Sequence, residues 1–214
     1  MRMLPIFVVS LWTAAALHGA PMQRRRSQAA RDPSPRVLIE NARVRVYRTA
    51  AGALTGVHHM PAVIVSLEDS TGGKAGTAVW VDDAAAPPST ANLRGTIVIV
   101  QPRDGAAAPP PATSSRPGDA PFTGMSFTPI FDNDRVSVIR ARMEVGASEG
   151  FHTHASDTIV VHLSGGAIED TADSRTVVNR WTRGDAEFEA VGSSHSARNV
   201  GGAVDVVLVV LKPQ

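Results

Sequence analysis

No segment of this 214-residue chain keeps a helical period over three turns, whereas short runs with a period near two recur from Val37 to Leu211. A period of two places alternate side chains on opposite faces of a strand. Val37 to Arg48 alternates around Val44 and Val46. Val63–Leu67, Thr77–Val81 and Thr96–Val100 are three further strand-like runs, and strands resume at Ser126 and continue to Leu211, separated by Gly, Asn and Asp turns. Hydrophobic residues make up 43% of the chain, enough to bury a core. The fold class expected is therefore all-β, a sandwich or barrel of many short strands.

The ends and the middle read differently. Arg2 followed by the apolar stretch Leu4–Leu17 and the small residues near Gly19-Ala20 reads as a signal peptide over 1–20. That stretch is too short for a membrane span, so the expectation is an exported chain, periplasmic or secreted, with no stable membrane insertion. Residues 21–35 are polar and arginine-rich and read as a disordered tail. The stretch PRDGAAAPPPATSSRPGDAP interrupts the strand pattern, so residues 102–124 read as a Pro-rich linker between a unit at 36–101 and a domain at 125–214. A net charge of +1 gives no field for nucleic acid. The absence of cysteine excludes disulfides, thiolate ligands and a cysteine nucleophile, so a site for a softer metal would have to be built from histidine.

A weak internal repeat links the two units. Glu40–Arg48 (ENARVRVYR) matches Asp132–Arg140 (DNDRVSVIR). Each is followed by histidines and an apolar strand: His58-His59 before Val63–Leu67, and His152-Thr153-His154 before Ile159–Leu163. Asn92–Gly95 likewise matches Asn199–Gly202. The copies differ in chemistry. His58 and His59 are adjacent, so on a strand they point to opposite sides, and the first copy has no counterpart of His195. Met60, Val63, Val65 and Leu67 read as core.

In the second copy, His152 and His154 are i and i+2 on one strand and share a face. His195 follows a strand and a Val-Gly-Ser-Ser turn that can return it beside them. Three neutral imidazoles suit Fe, Mn, Zn, Ni or Cu as a divalent metal ion, and three protein ligands leave positions open for water or substrate. His162 shares parity with Thr158 and Val160 and is a candidate pocket residue. Glu187 and Glu189 read as solvent-facing or rim residues, and Arg140 and Arg142 as surface charge.

These residues resemble the cupins. The first cupin motif is G, five residues, H-x-H, three or four residues, E, six residues, G, and Gly146, His152, His154, Thr158 and Gly165 stand at those positions. The second is G, five residues, P-x-G, two residues, H, three residues, N, and Gly184, Ala190, Gly192, His195 and Asn199 fit it. Thr158 replaces the glutamate ligand and Ala190 the proline. The resemblance implies a cupin-type β-barrel (jelly roll), with 36–101 as a degenerate cupin-like unit, an exported bicupin. It implies a metal on His152, His154 and His195, with Thr158, His162 and Asn199 as candidate pocket residues. Two functions remain open. One is a dioxygenase-like or isomerase-like enzyme, a metal-dependent oxidoreductase in the first case, acting on a small anionic or chelating substrate. The other is a non-catalytic module binding a small molecule or a metal. A small-molecule ligand and a homodimer are the partners expected.

Overall fold

The computed structural model describes residues 35–52, 60–71, 73–82, 94–105, 108–114 and 122–213. The signal and tail assigned to 1–20 and 21–35, apart from residue 35, lie outside the described residues, as do His58 and His59 and parts of the 102–124 segment.

The described residues form two antiparallel sheets and no α-helix, as the period-two pattern requires. The first sheet comprises β1 (Arg36–Glu40), β2 (Val44–Ala50), β3 (Ala62–Ser66), β4 (Ala78–Val81) and β5 (Thr96–Pro102), in the order β1-β2-β5-β3-β4. The second comprises β6 (Phe122–Asp132), β7 (Val136–Thr153), β8 (Thr158–His162), β9 (Gly166–Ala172), β10 (Arg175–Trp181), β11 (Ala186–Glu189), β12 (Ser194–Asn199) and β13 (Val204–Leu211). Its order is β10-β9-β12-β7-β13-β8-β11, with β6 also paired to β7.

The run read as one strand from Val37 to Arg48 is two strands. Asn41 breaks it, because its side-chain oxygen accepts from the backbone N–H groups of Arg43 and Val44. This local bond competes with the ladder. Asn133 does the same to Arg135 and Val136, so the sequence match ENARV/DNDRV is one turn used twice. The correspondence continues in the topology. The order β1-β2-β5-β3-β4 has the same form as β6-β7-β13-β8-β11. The first sheet has no described counterpart of β9, β10 or β12.

The two sheets pack face to face within one compact unit, Asp32–Gln214. Val44, Val46, Val63, Val65, Val98 and Val100 meet Val136, Val138, Ile159, Val161, Val207 and Val209 in a single buried cluster. Each of these valines and isoleucines, taken out of water, contributes about 1.5–3 kcal/mol before entropy is counted. Leu67 and Leu163, which correspond in the repeat, also correspond in place. A Cβ added to Gly184 would stand 2.7 Å from Leu67 Cδ1, and one added to Gly76 would stand 2.7 Å from Leu163 Cδ1. Both glycines have positive φ, 84° and 88°. Met60, read as core, is 45% exposed, since it precedes β3 and not its apolar face.

The opposite parity of the second sheet serves a different purpose. Ala141, Met143, Val160, Val204, Val206 and Leu208 point away from the first sheet and form their own apolar cluster with Ile168 and Ala197. β7 carries the chain between these walls. Residues 136–143 pair with β13, and residues 148–153 pair with β12. The strand turns between them at Gly146, whose φ of 77° is costly for any residue with a Cβ. The curled sheet therefore encloses space on its concave side and brings the end of β7 beside β12.

One buried ion pair ties the first sheet to the loop that follows His154. Arg43 Nε donates to Asp157 Oδ2 at 2.8 Å, with the two side chains 10% and 5% exposed. Asp157 Oδ1 accepts from Val191 N, and the Arg43 guanidinium also donates to Gly105 O. Removing one partner leaves an uncompensated buried charge. Arg43→Ala is therefore expected to lower unfolding free energy in urea by about 3–5 kcal/mol, with Arg43→Ala/Asp157→Ala costing less than the two single changes together. A loss under about 0.5 kcal/mol for Arg43→Ala would show the pair to be incidental.

Candidate metal centre

The three histidines are brought together by strand pairing. His152 lies opposite His195 in the register of β7 and β12, and His154 follows as the chain leaves β7. The turn before His195 is pinned to the same place by His154 N donating to Ser193 O and Gly192 N donating to His154 O, both at 2.9 Å. Gly192 makes this turn at φ 84°. One nitrogen from each of His152, His154 and His195 lies within 4.8 Å of the others.

The outward nitrogens decide which face each ring presents. His152 Nδ1 meets the carbonyl of Gly150 at 2.9 Å, and His195 Nδ1 meets Asp170 Oδ1 at 2.9 Å. A carbonyl or carboxylate only accepts, so Nδ1 of each ring donates outward and Nε2 is the nitrogen turned to the centre. Such outer partners orient metal-binding imidazoles. His154 Nε2 and His195 Nε2 face each other at 3.1 Å. Two ligands about 2.1 Å from one ion stand about 3.0 Å apart at a right angle, so the pair has the spacing of neighbouring ligands. Burial, and then the His195 and His152 rings, push the His154 pKa down to about 3, so its imidazole is neutral and able to ligate. The donor set fits a divalent ion.

A cavity of about 420 Å³ opens beside these rings, lined by Phe122, Met143, Val160, Ile168, Trp181 and Leu208 among others. Its polar groups were only partly legible in the sequence. Thr158 and His162 line it, at 3% and 2% exposure. Thr158 Oγ1 donates to Ser156 O. His162 stacks on Trp181 with ring centroids 4.7 Å apart and places Nε2 3.2 Å from Glu187 Oε1. Asn199 lies outside the cavity lining. Its side-chain amide donates to Met143 O, Glu144 O and Gly202 O and its oxygen accepts from Gly201 N, so it clamps the backbone. Arg140 pairs with Asp205, and Arg142 with Glu144.

Glu187 and Glu189, with side chains 32% and 23% exposed, turn toward the cavity instead of standing out on the surface. Both line the cavity, with Glu149 and Asp170. Glu189 Oε2 stands 3.6 Å from His154 Nδ1, and Glu149 Oε2 stands 3.7 Å from His195 Nε2. Burial raises the Glu189 carboxyl well above the carboxylate range, with Glu187, Glu149 and Asp170 adding to the effect. Burial also raises Glu149, opposed by His195 and reinforced by Glu187 and Asp170. The parity of β11 contained the signal, because Glu187 and Glu189 lie opposite Val160 and Thr158, which point inward. Glu149 belongs to no motif, and only the pairing of β7 with β12 reveals it.

The strand order, the curled sheet and the two glycine–histidine motifs are similar to those of a cupin-type β-barrel, the fold that the sequence resembles. No family model matches the sequence, and no curated protein matches it. Among solved structures, a cupin domain from Bordetella pertussis Tohama I is 27% identical over 42% of this chain and 95% of its own, with a TM-score of 0.40. KdgF from a Halomonas species is 20% identical over 42% of this chain and 80% of its own, with a TM-score of 0.36. An RmlC-like cupin from Shewanella frigidimarina is 16% identical over 49% and 93%, with a TM-score of 0.35.

The neutrality of His154 has a direct consequence. In the metal-free protein its ring resonances should show no protonation from pH 8 down to about pH 4, one unit above the lowered pKa. A midpoint near 6.5 in an NMR titration would mean that the ring is not buried among its neighbours as described.

Proposed function

We propose that this chain is an exported, metal-dependent enzyme that moves a proton on a small, largely apolar substrate whose oxygen atoms reach a divalent ion held by His152, His154 and His195. The observation that carries the reading is the placing of three convergent imidazoles beside an apolar cavity that also contains a carboxylate oriented by a histidine. That carboxylate is Glu187, fixed through His162 and, behind it, Trp181. Glu187 sits one pleat along β11 from Glu189, which is beside His154, so it is about 7 Å further along the cavity from the metal centre. His152, His154 and His195 would hold the ion, which would supply the positive charge that makes a C–H beside a bound carbonyl more acidic. Glu187 is the group placed to take that proton. Of the two catalytic classes open from the sequence, this favours an isomerase-like reaction over a dioxygenase-like one.

Export rests on the residue pattern of 1–20. The shared strand order of the two sheets supports reading 36–101 as a degenerate copy of the barrel's back wall, hence a bicupin origin, with the first copy kept for the apolar face it covers.

The test has two arms, both on the mature chain without a histidine tag. After reconstitution with Fe, Mn, Zn, Ni or Cu, elemental analysis should give about one ion per chain for the wild type and near none for His152→Ala/His195→Ala. Equal metal in both would overturn the site. Next, a panel of small enolisable carbonyl compounds is held in D2O and followed by NMR. Metal-loaded wild type should exchange C–H for C–D on at least one compound, and Glu187→Gln should keep its metal while losing exchange by about 10²–10⁴-fold. Full metal occupancy with no exchange on any compound would favour the non-catalytic binding module.

A further inference from the structure

The motif position at which cupins carry a glutamate ligand holds Thr158, whose hydroxyl is turned to the carbonyl of Ser156. The carboxylates around the three histidines are not equivalent to one another. Asp170 meets His195 at Nδ1, the nitrogen that points away from the centre. Glu189 approaches His154 at Nδ1, also the outward side. Glu187 is engaged with His162. Glu149 alone of the four comes to an inward nitrogen: its Oε2 is 3.7 Å from His195 Nε2, the same atom that faces His154 Nε2 at 3.1 Å. Two ligands of one ion, each about 2.1 Å from it, stand between about 3.0 Å apart when adjacent and about 4.2 Å when opposed. Both separations fall in that range.

The backbone explains why a residue three positions before His152 can reach the centre. β7 and β12 lose register between His195 and Ala197, where β7 carries one residue more than β12, so Glu149 pairs with Ala197 and His152 with His195. Strict alternation along β7 would put Glu149 and His152 on opposite faces. Residues 150 and 151 stand against one residue, Ser196, and this irregularity re-aims side chains on either side of it. Phe151, between them, is turned out and 71% exposed. Glu149, His152 and His154 accordingly all line the one cavity.

We infer that Glu149 is a fourth protein ligand to the ion, replacing from β7 the carboxylate that Thr158 cannot supply. This rests on the three-histidine reading and adds to it. A carboxylate in the ligand set lowers the charge of the centre from +2 to +1. The preference for anionic substrates that three neutral ligands alone would give is thereby weakened, and neutral carbonyl oxygens become better partners.

The inference is tested with Mn(II) alone as probe, on the mature chain, by water-proton relaxation and equilibrium binding. Losing an inner-sphere carboxylate opens a position to water. In a six-coordinate site the wild type should hold about two exchangeable waters and Glu149→Ala about three, with affinity at least about tenfold weaker. Glu189→Ala, which removes a carboxylate from the outward side of His154, should leave the water count unchanged. Should Glu149→Ala not fold, Glu149→Gln serves, since a neutral amide is the weaker ligand. An unchanged water count in a Glu149 variant, with Mn(II) bound by the wild type, overturns the inference and leaves the three-histidine site standing. A wild type that binds no Mn(II), Co(II) or Zn(II) overturns both.

Discussion

A sheet that is apolar on both faces has to be covered on both. That constraint organises this protein. β7, β8 and β13 carry Val, Ile and Leu at one parity toward the first sheet and a second apolar set at the other parity toward the cavity. The first sheet shields one face completely, which leaves the concave face to enclose a hollow instead of needing a packed layer of its own. The upstream unit thus has a physical role even though its described residues bring no histidine to the centre. Its Arg43 extends that role, because the ion pair with Asp157 fixes the loop between His154 and β8 and, through Val191 N, the turn that leads to His195.

The convergence of the three histidines then follows from register. Two imidazoles on one strand end and a third on its antiparallel neighbour are held by backbone pairing, not by long flexible side chains. Gly150 O and Asp170 turn the Nδ1 atoms of His152 and His195 outward, so that Nε2 points in. Around these three rings stand Glu149 and Glu189, which burial keeps from ionising easily. An ion would change that balance by supplying the positive charge they lack. The three imidazoles and these carboxylates thus share one cavity whose other walls are largely apolar.

Much of this was legible in the residues. Period-two alternation gave the fold class, the parity of Thr158, Val160 and His162 put those side chains inside, and the H-x-H pair with His195 marked the centre. The repeat ENARV/DNDRV marked one β unit used twice, but the Asx turn in each copy and the shared strand order show only in the hydrogen bonds and pairing. Other features depend on pairing and burial that no local pattern carries. Asn199 sits in a motif yet serves the backbone. Glu187 and Glu189 look like surface charges on a short strand until β8 is placed beside it. Glu149 is visible only once an irregularity between β7 and β12 sets two residues of one strand against one of the other. Val37–Arg48 looked continuous because alternation does not register a side-chain oxygen capping two backbone donors at Asn41.

The proposed centre requires that His152, His154 and His195 hold one ion through Nε2. Anomalous diffraction from a crystal of the mature chain loaded with Zn(II) or Co(II) measures this directly. A single strong peak is expected about 2.1 Å from each of the three Nε2 atoms. A peak elsewhere on the chain, or density between the three rings with no anomalous signal above background, would contradict it.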